Sequence, residues 1–158
     1  MAIDVITARS TIRTALQAIG EWSQAAEDLV LGTFIQESNL EYTQQLGGGP
    51  ALGYCQMEPF THDSLWANFL AYKETLAAAI KALIAPAEPT AALLQTSVAY
   101  DAAMCRVRYL DAPGALPLAG DIEGYANYWK TNYNTAGGAG TVQEFLDNWQ
   151  RFIGSGST

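Results

Sequence analysis

The chain alternates between amphipathic runs with helical spacing and short segments rich in Gly and Pro. Residues 10–22 repeat apolar side chains every three or four positions, and residues 23–38 carry Val30, Thr33 and Glu37 on one stripe. This spacing is typical of helices that bury one face. We therefore predict two helices, over 10–22 and 23–38.

The segment 39–58 interrupts this pattern. It contains three consecutive glycines followed by Pro50, and then a mainly apolar stretch over 52–57. Gly and Pro clusters favour turns over helices. We expect a loop with a short extended segment, and at most a small β-hairpin.

Helical periodicity returns after Pro59 and continues almost to the C-terminus. Thr61 stands where a cap residue could start the first helix of this part, which would carry Leu65, Trp66 and Phe69 on its apolar face. Further helices are expected over 72–84, 90–110, 121–133 and 141–153.

Two of these helices have additional features. The run 90–110 has a broad apolar stripe, which indicates a central helix buried on most sides. Thr141 and Glu144 have the spacing of a capping box. With no internal repeat and no linker, we predict a mainly α single domain over 1–153 and a flexible Gly/Ser tail over 154–158.

The composition narrows the choice of partners. Of the 158 residues, 49% are hydrophobic and 15% charged, so the chain is apolar enough to bury a core. The formal net charge is −8, with eight basic side chains against sixteen acidic ones. Nucleic-acid binding requires a broad basic surface, so we expect no nucleic-acid partner.

Cofactor chemistry has few candidate residues. The chain has one His, His62, and two Cys, Cys55 and Cys105, which are too few for a His/Cys zinc cluster. The glycine run 47–49 lacks the Gly-Lys-Ser/Thr ending of a phosphate loop. We therefore expect no metal and no cofactor. The two Cys could pair in an oxidising space, but buried free thiols are the simpler interpretation.

No stretch has the roughly 20 apolar residues of a membrane span. The N-terminus contains Asp4, Thr7, Arg9 and Ser10 where a signal peptide needs an unbroken apolar run. We expect a protein that is made in the cytoplasm without its own secretory signal and has no membrane span.

Glu37 is the first candidate for chemistry. It lies on the core-facing stripe at the end of a predicted helix, where partial desolvation would raise the pKa of its carboxyl group. A carboxyl group that stays protonated near neutral pH can act as a general acid. Without further motifs, a buried structural Glu satisfied by hydrogen bonds would explain the same position.

Three short sequence motifs, which follow one another along the chain, supply further information about the function. Glu37-Ser38 ends a predicted helix, Gly53 and Gln56 follow in a loop, and Pro59 and Thr61 come next. The third motif is Asn132-Tyr133-Asn134-Thr135-Ala136-Gly137, preceded by a helix and by Gly120-Asp121. Together these motifs resemble those of the soluble lytic transglycosylases and their lysozyme-superfamily relatives, including short members found in bacteriophages.

The chain departs from the family pattern at several positions. Tyr54 and Cys55 replace Leu and Met in the family's loop, Glu58 stands where a second Met would be, and Thr135 intrudes before the final Ala-Gly. These departures affect the expected shape of the substrate subsites. The chain keeps the family's acidic residue at Glu37, its Gln at Gln56 and its Tyr-Asn pair at 133–134.

The resemblance implies a lysozyme-like fold and a reaction on peptidoglycan. Glu37 would protonate the glycosidic oxygen and then, as a base, activate the 6-hydroxyl of the muramoyl sugar to form a 1,6-anhydro product. Ser38 would orient Glu37, Gln56 and Asn134 would bind the sugar, Tyr133 would cover Glu37, and Tyr54 would stack on a sugar ring. The partners would be a glycan strand and, in a phage particle, other virion proteins, with action on the cell wall during lysis or from the virion.

Other interpretations stay open at this point. A hydrolytic lysozyme would need a second carboxylate from Asp101, Asp63 or Glu58, although a core role suits Asp101 better. A poorly active virion structural protein with the same fold is a different class, favoured by the acidic charge. Tyr125, Tyr128 and Trp129 suit the core better than a glycan groove, and His62 suits the first turn of a helix.

Overall fold

The computed structural model describes residues 2–134 and 138–154. It confirms the mainly α fold, with 63% of the chain helical. The described α-helices are α1 (Val5–Ala18), α2 (Gln24–Ser38), α3 (Pro59–Asn68), α4 (Glu74–Ile84), α5 (Leu93–Thr96), α6 (Val98–Asp111), α7 (Ile122–Trp129) and α8 (Val142–Phe152). A 3₁₀ turn, Leu70–Tyr72, precedes α4, and a π-helical turn, Lys130–Asn134, extends α7.

Two buried helices form the centre of the molecule. Helix α6 packs against α1, α2, α3 and α4, and α2 packs against α1, α7 and α8 as well. This confirms that the run 90–110 contains a central helix. Helix α2 is buried on nearly every side, because small and apolar residues fill its length from Ala25 to Ile35. The carboxyl-terminal end of α2 therefore has a fixed position.

Side-chain caps determine where the main helices begin. Ser23 Oγ accepts a hydrogen bond from the Ala26 N–H at 3.0 Å, so α2 begins as predicted. At α8, Thr141 and Glu144 form the predicted capping box. Ser97 Oγ accepts from the Tyr100 N–H at 3.2 Å and starts α6.

Three predicted helix boundaries were wrong. Helix α1 begins at Val5 instead of residue 10, because Asp4 caps it by accepting from the Thr7 N–H at 2.7 Å. Helix α3 begins at Pro59 instead of after Thr61, since Pro is well suited to the first helical position. The run 90–110 is two helices, separated where Ser97 adopts an extended backbone.

A buried ionic cluster joins α1 to α2. Glu27 accepts hydrogen bonds from Arg9 at 2.6 Å and from Arg13 at 2.6 Å, and Asp28 accepts from Arg9 at 2.8 Å. The Tyr125 hydroxyl donates to Asp28 Oδ2 at 3.0 Å, which adds α7 to the cluster. Buried carboxylates require such partners. The cluster joins three helices near the N-terminal end of α2, whereas Glu37 lies in the last turn of that helix.

The loop 39–58 contains no strand among its described residues. Leu52 instead forms isolated antiparallel bridges with Gln44 and with Met57. This agrees with the expectation of at most a small hairpin. Of the predicted tail 154–158, residues 155–158 lie outside the described residues.

Candidate functional site

A cleft of about 600 Å³ opens between the end of α2, the loop 39–58 and the π-helical turn. We call it the Glu37 cleft. It brings together four of the predicted site residues, Glu37, Gln56, Tyr133 and Asn134. The remaining lining residues are Tyr42, Gln45, Leu46, Ala51, Glu58, Thr61, Arg108 and Gly138.

Glu37 lies in the last turn of α2, which ends where Asn39 adopts a left-handed backbone with φ 54°. Its Oε2 atom accepts a hydrogen bond from the indole N–H of Trp129 at 3.0 Å. Its backbone carbonyl accepts from the Tyr42 hydroxyl at 3.1 Å. The carboxyl group is therefore held on one side by a buried indole and faces the cleft on the other.

The environment of Glu37 raises the pKa of its carboxyl group. Burial is the main cause, because it removes water from the charged form. The hydrogen bond from Trp129 and the positive charge of Arg108 act in the opposite direction but do not cancel the effect of burial. The protonated form of Glu37 consequently persists to a higher pH than in a solvated Glu.

Gly53 shapes the loop opposite Glu37. Its φ is +78°, and a Cβ atom at this position would lie 2.5 Å from Asp101 Oδ1. Only Gly satisfies both the positive φ and the close approach. Asp101 Oδ2 in turn accepts a hydrogen bond from the Tyr54 N–H at 2.6 Å, so this buried acid anchors the turn to α6.

Gln56 occupies the same turn and points into the Glu37 cleft. Its backbone also has a positive φ, 51°, which is uncommon for a residue with a side chain. Its Nε2 atom donates to the Gly53 carbonyl at 2.9 Å, and its N–H donates to the same carbonyl at 3.1 Å. A side-chain amide offers further donor and acceptor capacity, which can serve a ligand in the cleft.

The π-helical turn presents Tyr133 to the cleft. The Tyr133 hydroxyl donates to the Cys55 carbonyl at 2.7 Å, which joins this turn to the Gln56 loop. The Arg108 guanidinium lies over the Tyr133 ring, 4.1 Å from its centroid, and donates to the Tyr133 carbonyl at 2.8 Å. Arg108 thus forms a wall of the cleft and holds Tyr133 in place.

Asn134 is held by Lys130 from the preceding turn of the helix. Lys130 Nζ donates to Asn134 Oδ1 at 2.7 Å, to the Gly138 carbonyl at 3.1 Å and to the Gly140 carbonyl at 2.6 Å. The side-chain oxygen of Asn134, Oδ1, therefore has a protein partner. The N–H groups of the same side-chain amide are the part suited to a ligand. Of the third motif, residues 135–137 lie outside the described residues.

Ser38 and Tyr54 do not line the cleft. Ser38 is fully buried, and its hydroxyl donates to the Phe34 carbonyl at 2.9 Å, as serines within helices often do. Tyr54 is 4% exposed, and its ring packs against Phe34 at a centroid distance of 5.8 Å. The predicted roles of Ser38 in orienting Glu37 and of Tyr54 in stacking on a sugar have no support in this geometry.

The three candidates for a second carboxylate differ in position. Asp101 is fully buried behind the Gly53 turn and does not line the cleft, and burial raises its pKa well above the ordinary value. Asp63 Oδ1 lies 2.8 Å from Nδ1 of His62, which is buried against Tyr100. Glu58 alone among these three lines the Glu37 cleft, at the N-cap of α3.

Both cysteines are buried free thiols in this structure. Burial raises the pKa of the Cys55 thiol well above its ordinary value, which disfavours the reactive thiolate. Cys55 contributes to the site through its backbone, by accepting the hydrogen bond from Tyr133.

Two residues of the site were missed by the sequence reasoning. Trp129 was assigned to the core, and it is fully buried, but its N–H also contacts Glu37. A buried indole N–H needs a hydrogen-bond partner, and this requirement was the available signal. Arg108 belongs to none of the three motifs, and the only signal for it is that it is one of eight basic residues in an acidic chain.

Within residues 2–134 and 138–154, no group of three or more His, Cys, Asp or Glu side chains is arranged to hold a metal ion. In the same part of the chain, no helix combines the length and apolar character of a membrane span. Comparison with protein-family models, curated proteins and solved structures finds no match to this chain.

Proposed function

We propose that this protein is a peptidoglycan lytic transglycosylase, which cleaves the β-1,4 bond between N-acetylmuramic acid and N-acetylglucosamine. The observation that carries the proposal is the convergence on one cleft of Glu37, Gln56, Tyr133 and Asn134. These residues come from three separate parts of the chain and match the motifs on which the resemblance depends. The proposal rests on this geometry and on chemistry.

In the proposed reaction, the protonated Glu37 donates its proton to the glycosidic oxygen. Its raised pKa supports this role. The substrate's own 2-acetamido oxygen stabilises the developing positive charge at the anomeric carbon. The ionised Glu37 then removes the proton of the 6-hydroxyl, which attacks the anomeric carbon and closes the 1,6-anhydro ring.

The other residues of the cleft would bind and orient the sugar. Gln56 and Asn134 carry side-chain amides that suit hydroxyl and acetamido groups. The indole N–H of Trp129 would stabilise the ionised Glu37 between the two proton transfers. Tyr133, held by Arg108 and by the Cys55 carbonyl, would keep the cleft closed on one side of Glu37.

A hydrolytic lysozyme is the second candidate function, because Glu58 lines the same cleft as Glu37. In that reaction Glu58 would activate a water or attack the anomeric carbon. The two reactions differ in their products. Mass spectrometry of digested peptidoglycan should show muropeptides one water lighter than lysozyme products, whereas incorporation of heavy oxygen from labelled water would indicate hydrolysis.

The decisive variant is Glu37→Gln. The amide preserves the shape of the side chain but cannot donate the proton, so we expect release of soluble muropeptides to fall by about 10² to 10⁴. Glu41→Gln, an exposed position three residues after α2, is the matched control and should keep full activity. If Glu37→Gln keeps more than about a tenth of the wild-type rate, Glu37 is a structural acid.

The cellular setting is part of the proposal. The resemblance to short bacteriophage members suggests action on the host cell wall during lysis or as a component of the virion. A folded wild-type protein that releases no muropeptides under any condition would instead favour a structural role in the virion.

A further inference from the structure

The two cysteines lie where the loop after α2 contacts helix α6. On α6, Asp101, Cys105 and Tyr109 follow one another at intervals of four residues, which places them on one face of the helix. We call these three residues the α6 row. Asp101, at one end of the row, accepts the hydrogen bond from the Tyr54 N–H at 2.6 Å. Cys55, the next residue of the loop, is therefore held against this face of α6.

The other end of the α6 row gives the same placement. The Tyr109 ring packs against the Tyr133 ring at a centroid distance of 5.4 Å, and the Tyr133 hydroxyl donates to the Cys55 carbonyl at 2.7 Å. Cys55 is thus fixed from both ends opposite Cys105. The two thiols are in contact, since the pKa of the Cys55 thiol is raised first by burial and then by its interaction with Cys105.

The proposed reaction makes no use of these thiols. Both side chains are fully buried, and neither lines the Glu37 cleft. A disulfide requires two Cβ atoms about 3.8 Å apart, an arrangement that two thiols in contact nearly satisfy. The fold therefore brings together two cysteines that are far apart in the sequence, in a position from which an intramolecular disulfide can form.

We propose that Cys55 and Cys105 are a site of reversible oxidation, at which an intramolecular disulfide clamps the loop carrying Gln56 onto α6. In a reducing compartment the pair stays as two free thiols, as in this structure. An oxidising disulfide, such as glutathione disulfide, closes the bond. This inference does not depend on the reaction proposed for the Glu37 cleft.

The loop must open before the pair reacts, because both thiols are buried. Among its described residues the loop 39–58 has isolated bridges and no strand, which is typical of a segment that opens locally. Opening returns Cys55 to water, where its thiol can lose a proton. The same movement uncovers Cys105 on α6.

The bond then forms by two thiol–disulfide exchanges. The Cys55 thiolate attacks one sulfur of glutathione disulfide and expels the other as a glutathione thiolate. Cys105 loses its proton, attacks the Cys55 sulfur of this mixed disulfide and expels the second glutathione thiolate. The two expelled thiolates take up the two protons that the cysteines released. One protein disulfide and two molecules of glutathione result, with the two electrons passing from protein to glutathione.

Mass spectrometry of the whole protein tests whether the bond forms. Reduced protein is treated with glutathione disulfide in its folded state, and a second sample is refolded from urea in the same buffer. We expect both samples to lose two hydrogen atoms per chain, peptide mapping to join Cys55 to Cys105, and dithiothreitol to restore the original mass. Cys55→Ala and Cys105→Ala are the matched controls, which should gain at most one glutathione and form no internal bond.

Thermal unfolding tests whether the bond acts as a clamp. A disulfide between distant residues restricts the unfolded chain, so the Tm of the oxidised protein should exceed that of the reduced protein by roughly 5 to 15 °C. The same oxidising treatment should leave the Tm of Cys105→Ala nearly unchanged. A bond that forms without raising the Tm would overturn the clamp.

Each outcome of the oxidation experiment bears on the inference. Slow closure in the folded protein together with full closure on refolding supports it, with opening of the loop as the slow step. Refolded protein that keeps both thiols, carries only bound glutathione or forms bonds between two chains overturns it. Release of muropeptides by the reduced protein is measured separately, so failure of this inference leaves the proposed function standing.

Discussion

At the scale of single residues, Glu37 is subject to two opposing effects. Burial favours its protonated form, and the Trp129 N–H together with the Arg108 charge favours its ionised form. A group that first donates and then accepts a proton needs access to both forms. The surroundings of Glu37 therefore favour each form through a different contact, as the proposed reaction requires.

Trp129→Phe should shift the titration of Glu37. The substitution removes the N–H donor but keeps an aromatic ring against Phe145, so the ionised form loses stabilisation and the pKa of Glu37 rises further. NMR titration of the Glu37 carboxyl group in both proteins measures this shift. Trp149→Phe, which also replaces a buried indole, should leave the titration unchanged. An unchanged or lower pKa in Trp129→Phe would show that the hydrogen bond does not hold the carboxylate.

The pH dependence of activity should follow the acid form of Glu37. Because the folded pKa lies above the ordinary value, glycan cleavage should persist above that value and decline as pH rises through the raised pKa. The stability of the folded protein should also decrease as pH rises, since the contribution from the buried neutral form of Glu37 is lost as pH rises through the folded pKa. A rate profile measured on solubilised glycan strands checks this expectation, and a rate that increases through that range would contradict it.

Gly53→Ala should destabilise the loop that carries Gln56. The new Cβ atom would require a left-handed backbone and would overlap Asp101, at a combined cost of roughly 2 to 5 kcal/mol. Gly48→Ala is the matched control, because Gly48 also has a positive φ but has open space around it. Urea denaturation should show a loss of only about 1 to 2 kcal/mol for the control. Equal losses in the two variants would mean that contact with Asp101 has no part in the effect.

At the scale of elements, periodicity and capping predicted the helices but not the geometry of the site. Thr141 could be identified as a cap from the sequence because its side chain acts on nearby backbone groups. The π-helical turn at Lys130 could not be predicted, since it depends on contacts with Arg108 and with the Cys55 carbonyl far away in sequence. Such turns are frequent at functional sites, and here the turn brings Tyr133 and Asn134 into the cleft.

The residues of the sequence motifs differ in whether their side chains line the cleft, because this also depends on the three-dimensional structure. Glu37 and Gln56 line the cleft because a helix end and a constrained turn direct them there. Ser38 and Tyr54 are immediate neighbours of motif residues, yet their side chains point into the core. Sequence adjacency gives no information about the direction of a side chain at a helix end or in a turn with positive φ.

Lys130→Met should reduce activity without unfolding the protein. Lys130 holds Asn134 and the carbonyl groups of Gly138 and Gly140, so its loss releases the wall of the cleft while α7 remains packed. We expect kcat/KM to fall by about tenfold to a hundredfold, the scale of a small misplacement of binding groups. Circular dichroism checks the fold, and Lys73→Met, at an exposed position outside the Glu37 cleft, is the control. Wild-type activity in Lys130→Met would mean that Asn134 does not need this support.

At the scale of the whole molecule, the acidic charge sets how the protein approaches its proposed substrate. The formal net charge is −8, and eight Lys and Arg are distributed over the whole chain. Arg9 and Arg13 are occupied in the ionic cluster with Glu27, and Arg108 is engaged with Tyr133. The positive charge of these residues is therefore committed to internal contacts instead of attracting an anionic cell wall.

This charge balance predicts that salt should increase activity on intact cell walls. Like charges repel at long range, and raising the ionic strength from 0.01 to 0.15 M shortens the screening length from about 30 Å to about 8 Å. The rate of turbidity loss of a peptidoglycan suspension should therefore rise severalfold over this range, because the approach to the wall becomes faster. Cleavage of short neutral oligosaccharides, which experience no such repulsion, should stay nearly constant and serves as the control. A rate on intact walls that falls with salt would instead indicate attraction between the wall and a local basic surface, despite the net charge of −8.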